Sequence, residues 1–176
     1  VRAMTPEKRY ALAGTELRDI LTGQASSMGG LFVNDMRIRS WYERYARADP
    51  IVLDGDPDLG LNASQLRAVA MMLRERVSLV QGPPGTGKTR TLVQTVSLLK
   101  QHFQVPHPIL LAAHTNVAVD NLAEGCVRAG LRVVRAGSST AARDSIIPHT
   151  YEAQCQRHAC YASLQEAEKA LRDVHA

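Results

Sequence analysis

The stretch Gly82-Pro83-Pro84-Gly85-Thr86-Gly87-Lys88-Thr89 constrains this chain more than any other feature of it. It fits the pattern G-x-x-x-x-G-K-[ST], and the spacing has a physical reason. Glycines let the backbone wrap closely enough for successive N–H groups to face phosphate oxygens. A helix opening at Lys88 would aim its positive end at the same place. Lys88 would then neutralise the β- and γ-phosphates of a nucleotide, and the Thr89 hydroxyl would sit on Mg²⁺. The bland alternative is a glycine-rich turn that matches by accident. The flanking pattern argues against it, because an apolar run precedes the loop and a helical pattern follows it.

Those flanks extend into a repeating order. Asn62 can cap a helix running through Arg74, with Gln65 three residues on as in a capping box. Leu66, Val69, Ala70 and Leu73 form its apolar stripe. Residues 77–80 read as a short strand, and a helix follows the loop from about Lys88 to Gln101, with Leu92, Val96 and Leu99 inward. Pro106 and Pro108 precede a second strand at 109–113; residues 116–128 form the next helix, closed by Gly130, and 131–134 a third strand. Strand–helix–strand–helix–strand is the signature of an α/β fold with a parallel sheet and crossover helices. Beyond Gly137 the pattern changes. Residues 151–176 read as helical, with Leu164, Leu171 and Val174 on one face, which suits an arm or stalk.

The first part of the chain is less regular. Thr5-Pro6-Glu7 is a good helix start, Ser26 to Gly30 a breaker, and Asp54-Gly55-Asp56-Pro57-Asp58 the clearest linker. Between them, Arg37, Arg39, Trp41, Tyr42, Arg44, Tyr45 and Arg47 interleave bases with aromatics, as single-strand binders do. The same residues fit one amphipathic helix with buried rings and solvated arginines, and that reading is preferred.

Composition narrows the setting. Of 176 residues, 45% are hydrophobic and 22% charged, which is ordinary for a globular domain. The formal charge of +4 permits a polyanionic partner without demanding one. No run approaches the roughly 20 apolar residues of a membrane span, so no membrane partner is expected. The opening Val1-Arg2-Ala3-Met4 suggests a piece of a longer protein. Three cysteines do not make a disulfide framework and point to reduced thiols in an intracellular setting, nuclear or cytoplasmic. Cys155, His158 and Cys160 have a faint look of metal ligands but lack a fourth at zinc-ribbon spacing.

Three motifs now stand in order: Leu61-Asn62-Ala63-Ser64-Gln65, the Gly82–Thr89 loop, and Ala113-His114-Thr115-Asn116-Val117-Ala118-Val119-Asp120-Asn121-Leu122. Together they resemble superfamily 1 helicases, in the group that contains the nonsense-mediated-decay RNA helicase and its DNA-unwinding relatives. The resemblance covers about residues 59–137. It implies a P-loop NTPase with a RecA-like lobe over residues 59–140, an N-terminal accessory segment over 1–58 and a helical stalk over 141–176. It also implies ATP and Mg²⁺ as cofactors and single-stranded DNA or RNA as partner.

Carried residue by residue, the resemblance places ATP against Gly82, Pro83, Pro84, Gly85, Thr86, Gly87, Lys88, Thr89 and Arg90, with Lys88 and Thr89 catalytic and Thr89 also on the metal. Gln65 would read the adenine edge, its bland reading being the helix cap. Thr115 and Asn116, at a strand-to-helix junction, would hold a nucleic-acid phosphate; alternatively Thr115 simply caps the helix, and both can hold at once. His114 departs from the family, which has Pro there. Arg135, in a stretch resembling the family's V-V-R, either contacts nucleic acid or pairs with an acid on the surface.

The family also carries an Asp-Glu pair that binds metal and activates water, and a second lobe with an arginine finger. This sequence holds no Asp-Glu dipeptide, so catalysis is expected of an intact parent, with this chain as its nucleotide-binding half-site. The rival readings are a non-catalytic nucleotide- and nucleic-acid-binding regulatory module, or another P-loop NTPase.

Overall fold

The structure, a computed structural model, describes residues 32–174, so the helix start at Thr5 and the breaker at Ser26 lie outside the described residues. The chain divides into two compact units, one ending at Leu98 and the other beginning at Leu99.

In the first unit, α1 (Met36–Tyr45) starts where the Asp35 carboxylate accepts the N–H groups of Arg37 at 3.0 Å and Ile38 at 3.3 Å. Its inward face is Ile38, Trp41, Tyr42 and Tyr45, all buried. Trp41 and Tyr45, one turn apart, stack with ring centroids 4.2 Å apart. The rings are core; Arg39 pairs with Glu43 at 2.8 Å on the exposed face, while the mostly buried Arg44 grips Asp56. Asp56 also accepts from the Tyr45 hydroxyl at 3.2 Å and the Leu53 N–H at 2.8 Å. The turn-rich Asp54–Asp58 segment is therefore fastened to α1 by one carboxylate. Its pKa lies below the usual carboxylate range, chiefly because the Arg44 guanidinium bonds to it.

Helix α2 (Ala63–Arg74) opens with the capping box read from the sequence: the Asn62 side chain takes the Gln65 N–H at 3.0 Å, and the Gln65 side chain takes the Asn62 N–H at 3.0 Å. Val69, Ala70 and Leu73 are buried and Leu66 half-buried, so the stripe is real. Helix α2 packs against both α1 and α3 (Lys88–Ser97). Helix α3 passes into a π-helical turn, Leu98–His102. There Lys100 Nζ donates to the carbonyls of Val105 at 2.6 Å and His107 at 3.1 Å, pinning the loop that follows the turn.

The second unit holds α4 (Asn116–Arg128), α5 (Tyr151–Arg157) and α6 (Tyr161–Val174), with short 3₁₀ turns at Ser139–Ala141 and Ile147–His149. Gly130, at φ +74°, ends the α4 region as expected. A parallel bridge joins Arg135 to Thr150, with N–H···O bonds from Arg135 to His149 and from Tyr151 to Arg135.

The expected strands are where the structure departs from the sequence reading. Residues 78–80, 109–113 and 131–134 carry no regular secondary structure, Val77 lies in a bend, and no strand ladder forms among the described residues. The reason is physical: an apolar extended run becomes a strand only when a neighbour takes its N–H and C=O groups. Here the runs lie uncovered, with Leu79 88%, Leu110 90% and Val134 59% exposed. On α6, Leu164 and Leu171, read as sharing one face, are both exposed.

Candidate nucleotide site and nucleic-acid interface

In the first unit, the loop before α3 takes the backbone path its glycines allow. Gly85 and Gly87 both sit at φ +81°, in the left-handed region that β-carbons disfavour. At Gly82 a β-carbon would come within 2.8 Å of Thr86 Oγ1, and at Gly87 within 2.7 Å of Gln65 Nε2. The Thr86 hydroxyl donates to the Pro83 carbonyl at 2.8 Å, closing the loop on itself. Gly87 is the N-cap of α3 and offers no side-chain acceptor, and the first turn carries no acid. That first turn is Lys88-Thr89-Arg90, all exposed. An uncapped positive helix end with two cations and a cradle that side chains would fill suits a polyphosphate.

The cations are placed differently from one another. Lys88 Nζ folds over the loop, donating to the carbonyls of Gly82 at 2.6 Å and Pro83 at 2.8 Å. Arg90 reaches back 30 residues, donating from Nη2 to the Gly60 carbonyl at 2.7 Å, and so ties α3 to the approach of α2. Gln65 does two things at once. Its Oε1 completes the capping box while its Nε2 donates to the Thr86 carbonyl at 3.0 Å. The cap expected of Gln65 is therefore present, and its amide also joins the cap to the loop, a contact the sequence did not suggest. For a metal, Thr89 offers a single hydroxyl, and no group of three or more His, Cys, Asp or Glu gathers among the described residues. Cys155, His158 and Cys160 accordingly form no metal centre. Instead His158 Nδ1 accepts the Cys160 N–H at 3.2 Å.

In the second unit, Thr115 is the N-cap of α4, its Oγ1 accepting the Ala118 N–H at 3.2 Å. Asn116 follows on the exposed first turn, and His114 is exposed before it. Arg135 is neither a free contact nor a surface partner: it is buried, 2% exposed, beside Asp120 at 1%. Its Nε donates to Asp120 Oδ1 at 3.2 Å, its Nη2 to Asn116 Oδ1 at 3.0 Å, and its Nη1 to the Ser138 carbonyl. Asp120 Oδ2 takes the Arg143 N–H at 3.0 Å, and Glu124 takes Arg143 and Ser145. Sequence reading missed this pair. Asn116 and Asp120 are four residues apart on one helix face, which is the signal that could have matched both to a single guanidinium.

Against known proteins, a family described as an AAA domain, AAA_11, matches residues 60–176. The chain belongs to this family. Among its relatives are the ATP-dependent helicase upf1 of Schizosaccharomyces pombe, 48% identical over 84 residues (46% of this chain, 9% of that protein), and a regulator of nonsense transcripts 1 homolog of Arabidopsis thaliana, 49% identical over 75 residues (43% and 6%). An uncharacterized ATP-dependent helicase of Methanocaldococcus jannaschii is 32% identical over 120 residues (66% and 18%). The chain thus spans less than a fifth of the length of each of these relatives. As a member of the AAA_11 family it has the P-loop NTPase fold, and the superfamily 1 resemblance read from its three motifs holds. No described helix is long and apolar enough to cross a membrane.

Proposed function

We propose that this chain is the ATP-binding part of a nucleic-acid helicase that couples ATP hydrolysis to movement on single-stranded DNA or RNA. The observation that carries the reading is the bond from Gln65 Nε2 to the Thr86 carbonyl. It fixes an amide, which has both donor and acceptor character, at the edge of the phosphate loop, where an adenine edge would need one.

In this assignment the Gly82–Thr89 loop and the α3 N-terminus hold the phosphates, and Lys88 exchanges its two carbonyl partners for β- and γ-phosphate oxygens. The Thr89 hydroxyl would be the chain's own ligand to Mg²⁺, a hard cation that takes oxygen donors. When bound, the metal supplies charge neutralisation at the phosphates. Thr115 and Asn116, on the exposed start of α4, face the backbone of the strand. The reading assigns the apolar runs at 77–80, 109–113 and 131–134 as strands of a RecA-like sheet in the parent protein, because parallel strands are apolar and need cover on both faces. Residues 1–58 are then an accessory segment, 59–140 the first part of the lobe and 141–176 a helical arm.

The test is ATP hydrolysis by the full-length parent protein, with and without oligodeoxythymidine or polyuridine. Hydrolysis that rises with added strand is the expected result. A rate indifferent to every single strand overturns the motor reading and leaves a P-loop protein of another kind.

A further inference from the structure

We infer that Arg135 is a positioning residue that sets which end of the Asn116 amide meets the nucleic-acid strand. The inference rests on the reading of Asn116 as a strand contact and adds the device that orients it.

The argument starts from donor and acceptor inventory. A guanidinium carries N–H donors only. Since Arg135 Nη2 lies 3.0 Å from Asn116, the amide oxygen must be the atom facing it. Asn116 is exposed, so Nδ2, with its two donors, is the end left for an outside partner. A phosphate oxygen is an acceptor without a donor, and the sense of the amide therefore matches it. Thr115 behaves in the same way: its Oγ1 is used as an acceptor by the Ala118 N–H, and its hydroxyl hydrogen remains to be given away. Both residues at the start of α4 present donors.

Arg135 is itself immobilised. It is 2% exposed, held through Nε by Asp120, which is fixed in turn by the Arg143 N–H, and through Nη1 by the Ser138 carbonyl. Asp120 stands one helical turn beyond Asn116, so one planar guanidinium bridges the two along the same face of α4. The fork geometry matters. A lysine could keep the charge opposite Asp120 but has one nitrogen and could not also hold Asn116 at a fixed angle.

Two variants of the full-length protein separate this from general structural support. Asn116→Asp keeps an acceptor for Arg135 and removes the donors. Its thermal midpoint should stay at or above that of the wild type, while the strand concentration for half-maximal stimulation of hydrolysis rises about tenfold or more, as expected for loss of a hydrogen bond to a charged group. Arg135→Lys should raise the same half-maximal concentration severalfold and leave the hydrolysis rate at saturating strand unchanged, a split that a merely unstable variant would not give. Wild-type half-maximal concentrations in a folded Asn116→Asp protein overturn the inference, whatever happens at Arg135. Failure of any strand to stimulate the wild type overturns instead the helicase reading beneath it.

Discussion

Gln65 and Thr86, 21 residues apart, are joined by a 3.0 Å hydrogen bond from the glutamine amide nitrogen to the loop carbonyl. The same glutamine closes the capping box of α2 through its oxygen. Helix α2 and the phosphate loop therefore share one side chain whose two ends have separate duties.

That division can be tested by isosteric replacement. Gln65→Glu keeps the acceptor for the Asn62 N–H and loses the donor to Thr86. It should retain the melting midpoint to within a degree or two yet bind ATP more weakly, by about the 0.5–1.5 kcal/mol of a neutral hydrogen bond or more with the added negative charge. Gln65→Ala should lose both, with roughly 1 kcal/mol of stability gone as well. If Gln65 reads adenine, ATP binding falls more than GTP binding in both variants, as titration of fluorescent nucleotide analogues would show. Equal losses would leave Gln65 as a cap and loop tie only.

Lys88→Ala should abolish ATP hydrolysis by the full-length protein. Its ammonium is exposed and bonded only to the carbonyls of Gly82 and Pro83, so little stability should go with it, and calorimetry should find the melting midpoint close to wild type. A variant that still turns over ATP near the wild-type rate removes Lys88 from the phosphate site.

Acid should loosen the segment before α2. Asp56 has its pKa lowered in the folded chain by its bonds to Arg44, so the unfolded chain binds a proton more readily. The resulting stability is full above the ordinary carboxylate pKa and is lost as pH falls through the depressed value of Asp56. Asp56→Asn should flatten that acidic limb and lower stability at neutral pH by about 1–3 kcal/mol, the cost of leaving a mostly buried Arg44 without its charge partner. Urea midpoints measured from neutral to acidic pH would check both; an unchanged acidic limb would exclude Asp56 as its source.

The thiols should separate by burial. Cys126 is buried and burial pushes its thiol pKa up, whereas Cys160 is exposed. Under native conditions, iodoacetamide followed by peptide mass mapping should find Cys160 alkylated and Cys126 protected until denaturant is added. Native labelling of Cys126 would mean that α4 opens far more readily than its packing implies.

What could be read from the sequence was whatever is decided locally. The helix at Ala63–Arg74 with its Asn62–Gln65 box, the start of α3 at Lys88 and the Thr115 cap all depend on residues within one turn, and each lies where the spacing put it. The aromatic residues of α1 turned inward because the apolar stripe, not the interleaved arginines, sets which face packs. The buried Arg135–Asp120 pair escaped notice because its members are 15 residues apart and nothing local distinguishes a buried arginine from a solvated one. Residues 77–80, 109–113 and 131–134 read as strands from apolarity and from their place between helices and turn residues, but a strand also needs a neighbour, which neither signal supplies.

Those uncovered runs bear on how the isolated chain behaves at high concentration. Leu79 and Leu110 stand almost fully exposed on backbone whose hydrogen-bonding groups lack a ladder. Such segments are templates for any passing strand, including the same segment of another molecule. A lysine placed at Leu79 or Leu110 should therefore reduce self-association of the isolated chain, as sedimentation would show.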